Sequence, residues 1–172
     1  MFEIGTCVCY RAEGICRIND IRNESFGASV GEEYYILSPI KDPNSTLYVP
    51  VNNPLLVEKM LPLLSADEIC KMVEELREER MEWRVESRAR NHALRDAINS
   101  GDRRMLIILI NTVTEKRGEL ATMGKKLTGG DEGMLKRAKK MLLDEFSYTT
   151  DIADEDTLMM VLEGKMRCNP KN

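Results

Sequence analysis

Along the first 65 residues the apolar positions fall in short runs broken by turn-forming residues. Residues 6–10, 14–21, 32–37 and 46–51 are rich in Val, Ile, Tyr and Cys, the types that suit a pleated, half-buried strand. Glu13-Gly14, residues 27–31, Asp42-Pro43-Asn44-Ser45 and Asn52-Asn53-Pro54 supply the turn chemistry between them. A fifth run, Lys59-Met60-Leu61-Pro62-Leu63-Leu64, is placed to close the sheet. Five strands in so few residues predict a small, highly curved β-barrel of the SH3 or Tudor type.

After Ser65 the period lengthens. Ser65-Ala66-Asp67-Glu68 is a capping box, and Ile69, Met72, Val73 and Leu76 follow at helical spacing. Residues 65–100 contain no Gly or Pro, which predicts one long helix or two joined tightly. Leu106, Leu109, Ile110, Val113 and Leu120 form a second stripe, entered through Ser100-Gly101-Asp102. Leu135, Ala138, Leu142 and Phe146 form a third behind Thr128-Gly129-Gly130-Asp131, and Leu158, Val161 and Leu162 suggest a short final helix. The expected fold is therefore α+β: a barrel over residues 1–65, then a compact bundle of four to five helices over residues 66–172.

The length, 172 residues, allows at least one proper core, and 5% aromatic content makes that core aliphatic. The longest apolar stretch, residues 105–110, is six residues, so neither a signal peptide nor a membrane span is expected. The five cysteines are odd in number and lack C-x-x-C spacing, as expected of reduced thiols in a cytoplasmic protein. Cys7 and Cys9 share one face of a strand and could reach a metal with Cys16. Small buried side chains are the plainer alternative, and no metal site is assigned.

Charge changes the picture more. The chain carries −4, yet between Arg84 and Lys140 fourteen Lys/Arg face seven Asp/Glu, a local balance of +7. The only tryptophan, Trp83, opens the arginine-rich stretch Arg84-Val85-Glu86-Ser87-Arg88-Ala89-Arg90. Its sevenfold spacing from Ile69 and Leu76 would bury it on a continuous helix. Arg80 and Ser87 on the same stripe argue instead for an edge. Arg77, Arg84, Arg88 and Arg95, at intervals of seven, four and seven, would line one face of that helix. Lys125-Lys126 and Lys136-Arg137-Ala138-Lys139-Lys140 add a second patch beside the predicted start of the third helix, and a helix N-terminus with nearby lysines seats phosphate well. A flat aromatic beside cations suits contact with nucleic acid through backbone and stacking; a solvated lysine-rich face is the alternative.

Catalytic signals are poor. His92, the sole histidine, has no Ser or Cys nucleophile near it in sequence. Gly129-Gly130-Asp131-Glu132-Gly133 is similar to the signature of cyclic-dinucleotide synthases, but predicted helices flank it, and it reads as a cap and turn. Asp151, Asp154, Glu155 and Asp156 lack the spacing and the Gly of a calcium loop and read as a solvated acidic helix start. No phosphate loop or zinc quartet occurs. Neither an enzyme nor a cofactor is expected.

The order of these features resembles the CarD/CdnL family of bacterial transcription regulators. In the first half the likeness rests on Phe2, Gly5, Val8, Tyr10, Gly14, Tyr34-Tyr35, Leu37, Leu47-Tyr48-Val49-Pro50-Val51 and Asn53. In the second it rests on Trp83, Ser100-Gly101-Asp102, Lys125-Lys126-Leu127-Thr128, Asp131, Leu135, Leu142-Leu143 and Glu145. The resemblance implies a Tudor-like domain that binds the RNA polymerase β subunit through a strand edge, here Tyr35, Leu47, Tyr48 and Val49. It also implies a helical domain on promoter DNA at the upstream edge of the transcription bubble, without sequence specificity. There Trp83 would be the minor-groove wedge, and Arg84, Arg88, Arg90, Lys125, Lys126, Lys136, Arg137, Lys139 and Lys140 would hold phosphates. The expected outcome is a stabilised open complex formed by a monomeric, cytoplasmic, polymerase-borne factor with no membrane partner. The chain departs from the family pattern at Tyr48, where an arginine is frequent, at Glu132-Gly133, where relatives are basic, and in the position of Trp83, about one helical turn further from Ser100-Gly101-Asp102. A rival reading is a protein-interaction adaptor whose helical half never touches DNA.

Overall fold

The computed structural model describes residues 1–10, 13–26 and 31–171. The chain divides into two compact units, Met1–Leu63 and Leu64–Asn172.

The first unit is a five-stranded antiparallel sheet. Its strands are β1 (Cys7–Tyr10), β2 (Gly14–Glu24), β3 (Glu32–Pro39), β4 (Leu47–Pro50) and β5 (Met60–Pro62), in the order β4-β3-β2-β1-β5. Among the described residues β4 pairs only with β3, and β5 only with β1. The expected closed barrel is thus an open sheet. The physical reason lies in its two edges: β4 and β5 are four and three residues long, and each ends on a proline, which has no N–H to donate to a further ladder. One face carries the core of Val8, Tyr10, Cys16, Ile18, Tyr35, Leu37, Val49 and Met60. A bulge between Ile18 and Asp20 shifts the β2–β3 register, so the inward sequence runs Cys16, Ile18, Ile21 rather than in strict twos. Most of the 27–31 turn lies outside the described residues. The Asn52-Asn53-Pro54 turn becomes a one-turn helix, α1 (Pro54–Val57), in which Asn53 caps and Pro54 opens.

The register also separates the cysteines. Cys16 stands opposite Val8, while Cys7 and Cys9 stand opposite Arg17 and Ile15. Directly paired residues share a face, so Cys16 lies on the other side of the sheet from Cys7 and Cys9. The three do not converge.

The second unit holds α2 (Ala66–Leu76), α3 (Ser87–Ser100), α4 (Arg103–Thr122), α5 (Gly129–Thr149) and α6 (Glu155–Leu162). With α1 the described residues contain six helices, one more than the bundle count anticipated. The Ser65 capping box is formed in both directions, and Gly101 sits at φ +66 between α3 and the Asp102 cap of α4. That left-handed position is where glycine ends a helix at least cost. Thr128 caps α5, and the Gly129–Gly133 segment forms its first turn. The core runs through Ile69, Val73, Leu94, Ile98, Ile107, Leu109, Ile110, Leu135, Leu142, Phe146 and Leu158.

One expectation fails here. The 65–100 stretch is neither continuous nor tightly joined: α2 ends at Leu76, and ten residues intervene before α3. Side chains of α4 take over the hydrogen bonding of the helix end. Asn111 Nδ2 donates to the carbonyls of Leu76 (2.9 Å) and Arg77 (3.4 Å), and the Met81 amide donates to Thr112 Oγ1 (2.9 Å). Carbonyls that would have continued the helix ladder are thereby satisfied from outside.

Candidate functional site

On the sheet, alternation decides which predicted contact residues are available. Tyr35 pairs with Val49, Ile36 with Tyr48, and Tyr34 with Pro50. Tyr35 and Val49 therefore point into the core and are 1% and 0% exposed. Their side chains hold the strand in place, so either residue could meet a partner only through its backbone. Leu47 is half-buried against the same core. Tyr48 points the other way, 40% exposed. It meets Phe26 and Tyr34 in a three-ring cluster of edge-to-face contacts with centroids 5.0–6.3 Å apart, the geometry favoured by ring quadrupoles. Phe26 is itself 49% exposed. Strand alternation assigned neither Phe26 nor Tyr34 to a site, because the cluster depends on the β3–β4 register. Beside this patch runs the outer edge of β4, which no described strand covers.

In the helical unit Trp83 lies in the connection before α3, half-buried, packed partly on the bundle core. It is neither sealed nor free. The Arg90 guanidinium stands 4.7 Å from the ring centroid and Lys116 Nζ 5.9 Å, so cations cover the indole. Arg90 itself is a latch. Its Nε and Nη2 donate to Asp131 Oδ1 and Oδ2 (2.9 and 3.1 Å), and its Nη1 donates to the carbonyls of Arg84 (2.9 Å) and Val85 (3.0 Å). Asp131 also accepts from Thr128 Oγ1 at 2.8 Å. Burial pushes the Asp131 carboxyl up, but the Arg90 and Thr128 hydrogen bonds and the Arg90 charge outweigh it, holding it below its ordinary value. One arginine thus ties the Trp83 segment, α3 and α5 together.

Two of the predicted phosphate contacts, Arg90 and Lys139, are engaged inside the bundle. Arg90 is buried with its fork filled by Asp131, and Lys139 is buried with Nζ 2.8 Å from Glu155. Desolvated, paired cations have no donors to spare for a phosphate. The proposed arginine face is corrected as well. Arg77 caps α2 and Arg84 sits in the connection, 4.0 Å from Glu82, leaving only Arg88 and Arg95 together on α3. Arg88, Lys125, Lys126, Lys136, Arg137 and Lys140 are exposed and form no ion pair with a described residue. The starts of α3 and α5 lie side by side, since Arg90 holds Asp131 and Asn91 lies against Gly130. Their first-turn amides are already occupied, however: Glu86 accepts from Arg88 and Ala89, and Thr128 accepts from Asp131. With Asp131 and Glu132 in the first turn of α5, that helix start is a poor phosphate seat. The exposed side chains carry the cationic surface instead. No described helix is long and apolar enough to cross a membrane, and no cluster of three or more His, Cys, Asp or Glu suited to a metal occurs among the described residues.

These features define a chain of two parts: a small antiparallel sheet with an aromatic patch beside an edge that no described strand pairs, and a helical bundle with surface cations that pair with no described residue and a cation-covered tryptophan. Residues 2–61 match the CarD-like/TRCF RID domain, the RNA polymerase-interacting domain of CarD-like proteins. No curated protein matches the chain.

Proposed function

We propose that the chain is a non-enzymatic transcription factor that docks on the RNA polymerase β subunit through its first unit and holds promoter DNA with its second. The observation that carries this reading is the RID-type sheet whose outer β4 edge pairs with no described strand and runs beside Phe26, Tyr34 and Tyr48. An added strand on that edge would gain main-chain hydrogen bonds, and the rings would supply hot-spot area. On DNA, Arg88, Lys125, Lys126, Lys136, Arg137 and Lys140 would neutralise phosphates, and Trp83 would press on the minor groove after shedding its cation cover. Contact made only with melted DNA would shift the promoter population toward the open complex.

The test uses the full chain. Tyr48→Ala is expected to weaken retention by core polymerase at least tenfold with an unchanged circular dichroism spectrum. Trp83→Ala is expected to leave retention intact and shorten open-complex lifetime on a linear promoter. Equal retention of the Tyr48→Ala chain would defeat the docking surface, and an unchanged lifetime would defeat the wedge.

A second reading, an adaptor that never touches DNA, is favoured by the sequestration of Arg90 and Lys139 and by the half-buried indole. The two differ in salt dependence. Each phosphate contact contributes a slope of about −0.9 in log affinity against log salt. Replacing Lys136, Arg137 and Lys140 with Gln should flatten the slope for the polymerase-bound factor by roughly 2–3. An adaptor gives no slope to flatten.

A further inference from the structure

Two of the five cysteines meet across the bundle. Cys70 lies on α2 and Cys168 beyond α6, 98 positions apart, yet their Sγ atoms are 3.0 Å from each other. That is about 1 Å longer than the ~2.05 Å of a covalent S–S bond, a gap that small side-chain rotations close. Both ends are fixed. The Cys168 thiol donates to the Ala66 carbonyl at 3.5 Å. Beyond it, Asn169 donates its amide and side chain to Asp151 (2.8 Å each), and the Lys171 amide donates to the Thr149 carbonyl.

The two sulfurs differ in setting. Cys70 is half-buried and lines an open concavity of ≈ 340 Å³ with Asp67, Lys71, Glu74, Arg77, Lys165 and Arg167. Arg167, held by Asp67 at 3.0 Å, lines the same concavity. The concavity admits a small oxidant to the Cys70 sulfur. Cys168 is 3% exposed, and burial with the neighbouring Cys70 sulfur pushes its thiol up to about 12. It waits as a protonated partner.

We propose that Cys70 and Cys168 form a reversible redox pair, Cys70 attacking and Cys168 resolving, which a peroxide converts to an intrachain disulfide. The Cys70 thiolate attacks one peroxide oxygen, the O–O bond breaks, and after protonation Cys70 carries a sulfenic acid and one water has left. The Cys168 sulfur then attacks the Cys70 sulfur. The S–O bond breaks, the Cys168 proton leaves with that oxygen as a second water, and the S–S bond forms. Two thiols are oxidised by two electrons and one peroxide is reduced to two waters. A low-molecular-weight dithiol reverses the bond by exchange. The disulfide would close a loop holding α3 to α6, constraining the unfolded chain more than a short loop does.

The full-length protein is treated with equimolar hydrogen peroxide, its remaining thiols are alkylated, and it is digested without reductant. The expected product is a single linked peptide pair carrying Cys70 and Cys168, lighter by two hydrogens than the parts and lost on reduction. The urea midpoint of the oxidised chain should rise and return after reduction. In Cys168→Ser, Cys70 should stop at the sulfenic acid and be captured by dimedone. Alkylated Cys70, Cys70 driven to sulfinic acid in the wild type, or disulfides joining two chains would each overturn the pairing. Mapping the wild type decides the matter even where the variant does not fold.

Discussion

Arg90→Met tests whether the latch, rather than surface charge, is what Arg90 supplies. The substitution keeps the aliphatic stem but removes the fork that satisfies Asp131, whose side chain is 1% exposed. Breaking one side of a buried pair costs about 3–5 kcal/mol because the other charge is left uncompensated. Domains have ~5–15 kcal/mol in total, so the loss is a large share. For a unit of roughly 100 residues, at about 4 °C per kcal/mol, the melting temperature should fall by about 12–20 °C. The assay is urea and thermal unfolding followed by far-UV circular dichroism and by tryptophan emission. Trp83 is the sole indole and reports its own uncovering: without the guanidinium 4.7 Å above the ring and without the bonds to Arg84 and Val85, native-state emission should move to the red. Arg90→Met with Asp131→Leu should recover most of the stability, since the stranded charge is gone, but not the emission shift. A single variant that loses less than about 1 kcal/mol, or a double variant no more stable than the single, would refute the latch.

Acid should act on the same unit. Asp131, Glu68, Glu86, Asp151 and Asp154 are all held below their ordinary values; burial opposes the shift at Asp131, whereas backbone N–H donors lead it at the other four. Lowered carboxyls stabilise the fold above their unfolded values, about 3.9–4.3, and lose that contribution as pH falls through the folded values. The urea midpoint should therefore be flat from pH 7 to about 5 and fall below about 4; a midpoint that rises on acidification would contradict it. Gly164 sits at φ +72, and a Cβ there would run into the Arg77 guanidinium. Gly164→Ala should cost about 1–2 kcal/mol, read as a lower urea midpoint, and an unchanged midpoint would show that the turn relaxes freely.

Local chemistry carried most of the helical unit into view. Ser65-x-x-Glu68, Ser100-Gly101-Asp102 and Thr128 each satisfy backbone groups within a few residues of themselves, so the sequence alone announces them, and the structure places α2, α4 and α5 behind them. The break after Leu76 was invisible for the opposite reason. Nothing in residues 77–86 forbids a helix; the side chains that end it, Asn111 donating to the Leu76 carbonyl and Thr112 accepting from the Met81 amide, arrive from α4 some thirty residues later. The sheet shows the same division. Its strands were legible from short β-branched and aromatic runs, but closure depends on whether β4 and β5 have enough N–H donors to meet. The prolines at 50 and 62 weigh against it, and they become decisive only once the strand ends are known.

At the site, composition counted charges without knowing which were already paired. Of the fourteen cations between Arg84 and Lys140, Arg90, Arg103 and Lys139 are buried against Asp131, Glu145 and Glu155. Two of those acids are distant in sequence from the cations they neutralise, and Glu145 and Glu155 lie outside the window altogether. The +7 balance therefore mixes two populations with opposite roles. The buried Arg90–Asp131 pair fixes the connection that presents Trp83, and exposed side chains such as Arg88, Lys125 and Lys136 make the field a polyanion meets. A buried pair responds to one-sided mutation with a loss of folding and little response to salt. An exposed lysine responds to salt and leaves folding alone. Comparing Arg90→Met with Lys136→Gln in one salt series separates the two populations, because each predicts the effect the other lacks.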